Sequence, residues 1–319
     1  MTTGPESLLI VGSIAFDDLD MPSGEYRNVL GGSATYSALA ASLVARSGVR
    51  VVGIVGEDFP DAHLTELRTR GVDTAGVERA AGRTFRWHGR YSGDLASRTT
   101  LDTQLNVFGQ FSPKIPDAYR TSPFVLLGNI HPKLQVSVLE QVRRPRLVAA
   151  DTMNFWIERE PTALAEMLQR VDLLIINDEE ARQLSGIHNL VKAAADIRKR
   201  GPKMLVIKRG EFGALLFDAT GVFFVPAYPL EDVLDPTGAG DSFSGGLMGY
   251  LAALHGEWSP SALRKAMLYA SALGSFCVEG VGPGRLLAIG RPELAARMAS
   301  FVRLVDYGGD VSLPPVQPV

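Results

Sequence analysis

Short apolar runs alternate with longer amphipathic segments along most of this chain of 319 residues. The apolar runs are SLLIVGSI, VRVVGIVG, PFVLLGN, RLVAAD, VDLLIIND and KMLVIKRG. The amphipathic segments predict helices at 33–45, 60–70, 161–170, 190–200, 238–254, 260–278 and 292–303. Such an alternation of strand and helix is typical of βαβ units. The chain is therefore predicted to be an α/β protein with a mostly parallel sheet.

Composition narrows the class of partner. Hydrophobic residues make up 46% of the chain, which is enough for a large core. The 32 basic and 35 acidic side chains leave a formal net charge of −3, which offers no electrostatic footprint for nucleic acid or an anionic membrane. Cys277 is the one cysteine, and MTTGPES has neither the basic start nor the apolar region of a signal peptide. We expect a cytoplasmic protein with a small-molecule partner, and binding to neither nucleic acid nor membrane.

No internal repeat or charged linker divides the sequence, so 1–319 is predicted to be a single domain. Two excursions interrupt the α/β alternation, at about 19–30 and 84–103. The second, TFRWHGRYSGDLASRTTLD, is typical of a hairpin that turns at SGD. It has an aromatic face and a basic face, formed by Phe85, Trp87 and Tyr91 and by Arg86, His88 and Arg90. The two excursions could pair as strands, or both could be surface loops.

The stretch DPTGAGDSFSGG at 235–246 combines glycine and acid immediately before a helical pattern. Gly238, Ala239 and Gly240 are small enough for their backbone amides to approach a ligand. They lie at a helix N-terminus, where unpaired N–H groups favour an anion such as phosphate. Asp241 follows in the first turn and would repel phosphate unless it takes a proton from the attacking group. The pattern indicates phosphoryl transfer, although a glycine-rich helix cap has the same spacing.

Three motifs together resemble a known family. DPTGAGDSFSGG resembles the C-terminal signature of the ribokinase-like carbohydrate kinases, the PfkB family. VLGGSATYSALAASL at 29–43 is similar to the family's double-glycine motif, and NDEEARQLSG at 177–186 to its Asn-x-x-Glu motif. The resemblance implies a ribokinase-like, three-layer α/β/α fold with a Rossmann-like sheet. It also implies a small β lid over the sugar, which the two excursions would supply.

The resemblance further implies an ATP-dependent kinase that phosphorylates a hydroxyl of a sugar or sugar-like molecule. Asp241 would be the base, and the amides of Gly238, Ala239 and Gly240 would form an anion hole for the γ-phosphoryl group. Asn177 and Glu180 match the motif that organises Mg²⁺, with a capped helix start as the alternative. ATP would be contacted by Thr237, Lys208, Gly210 and Ser271. A monovalent cation stays open as a further cofactor.

On the acceptor side, Asp17 matches the acid that grips sugar hydroxyls, since a carboxylate can accept hydrogen bonds from a vicinal diol. Gly31 and Gly32 would let the backbone approach the sugar, or would simply form a turn before a helix. Asn106 is a further candidate contact to the substrate.

Two departures from the family pattern bear on the acceptor. Ala15 and Tyr36 stand where many relatives carry asparagine. The Tyr36 ring could stack on a base or on the apolar face of a sugar. A nucleoside or a cyclitol such as myo-inositol therefore stays an alternative to a simple sugar.

A relative that binds a sugar without catalysis is the alternative from another class. The base, the anion hole and the metal motif are all present, which favours the enzyme. Family members often dimerise through lid strands, so a homodimer through the lid is a further prediction.

Overall fold

The computed structural model describes residues 6–45, 48–95, 97–254 and 259–306. Its strands are β1 Leu8–Val11, β2 Ala15–Met21, β3 Gly24–Gly31, β4 Val49–Gly56, β5 Val72–Ala80, β6 Phe85–Tyr91, β7 Arg98–Gln104, β8 Phe124–Leu127, β9 Leu147–Ala150, β10 Leu173–Asn177, β11 Met204–Lys208, β12 Ala214–Asp218 and β13 Gly221–Val225. Its helices are α1 Ser33–Val44, α2 Asp61–Thr69, α3 Pro132–Gln141, α4 Asn154–Arg159, α5 Pro161–Leu168, α6 Asp178–Ser185, α7 Leu190–Arg198, α8 Ala239–Ala253, α9 Pro260–Cys277, α10 Gly284–Ala288 and α11 Arg291–Val305.

The main sheet has the strand order β13-β12-β11-β10-β9-β8-β1-β4-β5 within the described residues. Its pairs are parallel except at one edge, where β12 is antiparallel to both β11 and β13. Strands β1, β8 and β9 are buried along their whole length. Parallel strands covered on both faces need such continuous apolar runs, which is why the sequence pattern is so clear here.

Helices cover both faces of this sheet. Alternate residues of β1 point into different cores: Leu8 and Ile10 belong to one cluster, Leu9 and Val11 to the other. The first cluster is completed by α1, α8 and α9, and the second by α3, α5 and α7. The predicted three-layer α/β/α fold is confirmed.

The seven helices predicted from the sequence begin and end within two residues of those observed. The helices α3, α4, α6 and α10 were not among those predicted. Two of these are very short, with six residues in α4 and five in α10, so a helical period cannot show in the sequence. No helix in the described ranges is both long and apolar enough to cross a bilayer.

A second sheet, the lid, has the strand order β3-β2-β6-β7. Strand β2 pairs with β3 and also, in parallel, with β6, so the two excursions do pair. Tyr91 packs with Leu19 and Met21, and Val281 of the main body lies against this cluster. The aromatic face of the lid is therefore its inner face. The outer face carries Asp20, surrounded by Arg27, His88 and Arg90.

Candidate active site

The anion-hole segment lies at the start of α8. Gly238 caps the helix with φ 75°, a left-handed conformation that favours glycine. A Cβ at this position would also fall 2.4 Å from the Tyr36 ring. Gly240 follows in the first turn, and the Ala239 N–H makes only a long 3.3 Å hydrogen bond to the Pro236 carbonyl. The segment thus places the N-terminus of α8, with its backbone N–H groups and the positive end of the helix dipole, beside the cleft.

Asp241 lies in the first turn of α8 and shares this environment. Burial, followed by the charge of Asp151, raises the pKa of Asp241 to about 7, while Lys208 and Arg98 oppose the shift. A carboxyl group that titrates near neutral pH can take up a proton from a hydroxyl and release it again.

Lys208 ends β11 and lies against the same segment. Its Nζ is 3.1 Å from Asp151 Oδ2, and a Cβ on Gly240 would come within 2.9 Å of that Nζ. Burial alone would lower the pKa of Lys208, but Asp151, Glu180 and Asp241 raise it above its ordinary value. Lys208 is therefore a fixed positive charge beside the anion hole.

Three neighbouring parallel strands bring this group together. Asp151 directly follows β9, Asn177 ends β10 and Lys208 ends β11, and these strands are adjacent in the sheet. Because the carboxyl ends of parallel strands meet at one edge, residues far apart in sequence converge there.

Asn177 and Glu180 form a reciprocal capping box at the start of α6. The Glu180 N–H donates to Asn177 Oδ1 and the Asn177 N–H donates to Glu180 Oε2, both at 2.8 Å. The helix-cap interpretation is thus confirmed, while the metal role stays a prediction. Burial and then Asp151 raise the pKa of Glu180 to about 7. Among the residues that the structure describes, no three His, Cys, Asp or Glu side chains form a ready-made metal site.

Asp17 lies across the cleft on lid strand β2. A Cβ on Gly31 would fall 2.1 Å from Asp17 Oδ2, so this glycine makes room for the carboxylate. Burial and the charges of Asp235 and Asp241 raise the pKa of Asp17 to about 8. Asp17 and Asp241 thus belong to one acid-rich cleft. Gly32, with φ 97°, has a different constraint, since a Cβ there would lie 2.4 Å from the Ser13 carbonyl oxygen.

Tyr36, a predicted contact to the acceptor, is buried in the structure. Its side chain is 1% exposed and its ring packs against Gly238, beneath the anion hole. The Tyr36 hydroxyl is buried and finds no hydrogen-bond partner among the described residues. The cause is the close packing of α1 on α8, where a Cβ on Gly245 would lie 2.1 Å from the Ser37 carbonyl oxygen. The sequence alone did not show which turn of α1 would be covered by α8.

Thr237 connects the lid to the anion-hole segment. Its Oγ1 shares a 2.7 Å hydrogen bond with the Tyr91 hydroxyl of the lid. Its N–H donates to Asp235 Oδ1 at 2.8 Å, and Asp235 Oδ2 accepts the Gly282 N–H at the same distance. These bonds fix the loop that precedes α8.

Asn106, Gly210 and Ser271 are the remaining residues that were predicted to contact the substrate or ATP. Asn106 is exposed, and its Nδ2 donates to the Thr84 carbonyl at 2.9 Å, at the base of the lid. Gly210, with φ 54°, begins a short exposed turn after β11. Ser271 Oγ donates to the Pro226 carbonyl at 2.8 Å. The contacts described for these three residues do not join them to Asp17 or Asp241.

Sequence reasoning did not select several residues that complete the cleft: Asp151, Asp235, Tyr91 and Arg98. Asp151 ends the apolar run RLVAAD and Asp235 opens the glycine-rich stretch, so both had a positional signal. Arg98 had none, because nothing local in SRTTLD shows which strand its guanidinium will face.

Known proteins of one family are similar to this chain in sequence and in fold. The sequence model of the "pfkB family carbohydrate kinase" matches residues 7–288. A cytidine kinase of Thermococcus kodakarensis is 30% identical over 76% of this chain and 88% of its own. An inositol 3-kinase of rice, Oryza sativa subsp. japonica, is 27% identical over 93% of this chain and 72% of its own.

A crystal structure of aminoimidazole riboside kinase from Salmonella enterica, complexed with aminoimidazole riboside and an ATP analog, has the same fold. It superposes with a TM-score of 0.72 at 21% identity, covering 92% of this chain and 99% of its own. The chain belongs to the pfkB family of carbohydrate kinases. It is a phosphotransferase that acts on a hydroxyl group, and kinases of this family use ATP.

Proposed function

We propose that this chain transfers the γ-phosphoryl group of ATP to a hydroxyl of a nucleoside, with Asp241 as the base. The observation that carries the proposal is the position of Asp241. This carboxyl group lies in the first turn of α8, titrates near pH 7 because of burial and Asp151, and shares a cleft with Asp17 and Lys208.

The chemistry follows from that arrangement. The acceptor hydroxyl gives its proton to Asp241, its oxygen forms a bond to the γ-phosphorus, and the bond from that phosphorus to the ADP oxygen breaks. Lys208 and the N–H groups at Gly238, Ala239 and Gly240 stabilise the negative charge on the phosphoryl oxygens. No other group needs to gain or lose a proton.

The donor set near α6 fits Mg²⁺. Glu180 and Asp151 supply hard oxygen ligands, and Asn177 an amide oxygen, at the end of the cleft where Lys208 lies. Mg²⁺ usually keeps several waters and is held by one or two carboxylates together with substrate phosphates. A cluster of three protein carboxylates is therefore not required. Bound there, Mg²⁺ would neutralise charge on the ATP phosphates.

Thr237, Gly210 and Ser271 are proposed on the nucleotide side from the family resemblance alone. The monovalent cation, the homodimer through the lid, the single domain at 1–319 and the cytoplasmic location also stay predictions from the sequence.

A nucleoside acceptor is supported by features of the lid. Asp17 can accept hydrogen bonds from a ribose diol. Trp87 is half-buried on the inner face of β6 and is paired with Asp17 of β2, so its ring can supply the flat surface that Tyr36 does not. The similarity to a cytidine kinase points the same way. A simple sugar or myo-inositol is the alternative, and the similarity to an inositol 3-kinase keeps it open.

The experiment is an ATP-consumption screen over nucleosides, free ribose, hexoses and myo-inositol, with and without Mg²⁺. We expect the highest kcat/KM for a nucleoside and loss of activity without a divalent ion. If free ribose or myo-inositol ranks first by a wide margin, the acceptor assignment is wrong and the kinase class stands.

The role of the base is tested in the same assay with Asp241→Asn. Turnover should fall about 100-fold or more, while ATP binding and the circular dichroism spectrum are retained. Asp117→Asn, at a carboxylate that is 93% exposed, is the control and should leave turnover unchanged. Turnover of Asp241→Asn within a few-fold of wild type would mean that Asp241 is not the base and that the segment is only a glycine-rich helix cap.

A further inference from the structure

The cleft contains more carboxylates than cations. Asp17, Asp151, Glu180 and Asp235 are buried around it, together with the half-buried Asp241. The Lys208 ammonium is already paired with Asp151 at 3.1 Å. A phosphoryl group that moves from ATP to the acceptor would leave Lys208 and approach Asp17 and Asp241. Negative charge on its oxygens then needs a cation on the lid side.

Arg98, the first residue of β7, lies at that place. It is directly opposite Tyr91 in the β6–β7 pair, and the Tyr91 hydroxyl is 2.7 Å from Thr237 Oγ1 in the anion-hole segment. The Arg98 guanidinium lies 5.6 Å from the centroid of the Trp87 ring, and Trp87 is paired with Asp17. These contacts locate Arg98 between the acceptor carboxylate and the anion hole.

The register of the sheet sets the face on which Arg98 lies. Residues directly opposite each other in an antiparallel pair share a face, so Arg98 lies with Tyr91 on the inner face of the lid. The charge of Arg98 acts across the cleft from there: burial raises the pKa of Asp17 on β2 and of Asp241 on α8, and Arg98 partly offsets both increases.

Arg98 differs in this respect from the other lid arginines. Arg27 and Arg90 form ion pairs with Asp20 on the outer face, and Arg86 lies 3.8 Å from Asp58. Within the described part of the chain, no carboxylate oxygen lies within ion-pair distance of Arg98. Its side chain is exposed, and its contacts are with the neutral Trp87 and Tyr91. Its donors are therefore available to a substrate.

We propose that Arg98 is a catalytic residue that binds the phosphoryl oxygens from the lid side while the group passes to the acceptor. This inference rests on the proposed phosphoryl transfer at Asp241. Arg98 undergoes no covalent change, and its planar guanidinium can donate two parallel hydrogen bonds to phosphoryl oxygens. The contact strengthens as charge develops, so it should appear in kcat rather than in the KM for the acceptor.

The test compares Arg98→Ala, Arg98→Lys and the control Arg90→Ala, which removes an arginine from the outer face of the same sheet. Arg98→Ala should lower kcat about 100-fold, with the acceptor KM changed less than about three-fold. Arg98→Lys should recover only part of the loss, since an ammonium cannot donate in the bidentate geometry. Millimolar guanidinium should raise the kcat of Arg98→Ala and leave Arg90→Ala unchanged.

Other outcomes would overturn the inference. A raised acceptor KM with unchanged kcat would mean that Arg98 binds the acceptor itself, as it would bind an acidic group. A loss of kcat without guanidinium rescue, accompanied by a lower Tm, would mean that Arg98 only supports lid packing. Asp241→Asn is measured in parallel: if it is inactive while Arg98→Ala has full turnover, only the inference fails. If both variants are fully active, the proposed function fails.

Discussion

Two aspartates of lid strand β2, Asp17 on the inner face and Asp20 on the outer face, have pKa values that are shifted in opposite directions. On the inner face, burial together with Asp235 and Asp241 raises the pKa of Asp17 to about 8. On the outer face, a hydrogen bond from His88, followed by bonds from Arg27 and Arg90, lowers the pKa of Asp20 to about 2. The two residues are only three positions apart.

The contrast shows how one small sheet serves two purposes. On the outer face, Asp20 forms ion pairs with Arg27 and Arg90 and a hydrogen bond with His88, so it has its partners within the lid. The inner face leaves Asp17 buried near other carboxylates, an arrangement that costs stability and is typical of functional sites. A substrate with several hydroxyls can supply hydrogen bonds to the Asp17 carboxyl group on this face.

The largest expected difference between the faces is in catalysis. Asp17→Ala should lower kcat/KM for the acceptor about 100-fold or more, because the hydrogen bonds between the Asp17 carboxyl group and two acceptor hydroxyls are lost. Asp20→Ala, on the same strand, should change kcat/KM less than about three-fold. Steady-state kinetics with saturating ATP measure both values. Equal effects of the two substitutions would remove the distinction between a catalytic and a structural face.

Asp17 and Asp20 should contribute to the stability of the folded chain with opposite dependences on pH. An unfolded aspartate titrates near pH 4, whereas Asp17 keeps its proton in the folded chain up to a pH of about 8. Between these values the unfolded state binds fewer protons, so this residue makes the wild type less stable as the pH rises. At pH 8, Asp17→Asn should therefore raise Tm by about 2 °C or more, and this gain should vanish near pH 4.

Asp20 has the reverse dependence. Its folded pKa is about 2, so it stabilises the folded state above pH 4 and loses that contribution as the pH falls through its folded value. Asp20→Asn should therefore lower Tm at pH 8, with a difference that shrinks towards pH 2. Thermal melts of both variants at several pH values test the pair. A lower Tm for Asp17→Asn at pH 8 would contradict the account of the inner face.

The smallest expected effect concerns the bond between the lid and the anion-hole segment. Tyr91→Phe removes the hydroxyl that is 2.7 Å from Thr237 Oγ1 and should lower kcat roughly two- to ten-fold. Tyr26→Phe, which removes a hydroxyl bonded to Ser23 at the edge of the lid, is the matched control. The kcat of Tyr91→Phe should be lower than that of Tyr26→Phe. Identical values would show that the Tyr91 hydrogen bond does not position the anion-hole segment.

Several features of the fold and of the lid could be predicted from the sequence. The α/β class and the sheet core were predictable, because strands such as β8 are apolar along their whole length. Pairing of the two excursions was one of two possibilities that the sequence left open, and the family resemblance favoured it. Period-two alternation separated an aromatic face from a basic face in β6, and the structure shows the aromatic face turned inwards.

Contacts between distant elements were not predictable. Tyr36 was expected to meet the acceptor, but the small residues of α1 and α8 allow a helix contact that covers its ring. Asp151 and Lys208 are 57 residues apart and meet only because β9, β10 and β11 are adjacent. The direction of Arg98 depends on strand register rather than on local sequence. Each of these features is decided by packing across the fold.

The central claim is that Asp241 takes the proton of the acceptor hydroxyl. The most direct measurement is the pH dependence of kcat/KM for the best acceptor, from pH 5 to 9 at saturating ATP and Mg²⁺, for wild type and Asp241→Asn. In the wild type, log kcat/KM should rise with a slope of about one and level off above a pH of about 7, which is the pKa of Asp241 in the cleft. The residual activity of Asp241→Asn should lack this rise. A wild-type profile that is flat from pH 5 to 9, or a rise that persists unchanged in Asp241→Asn, would contradict the assignment.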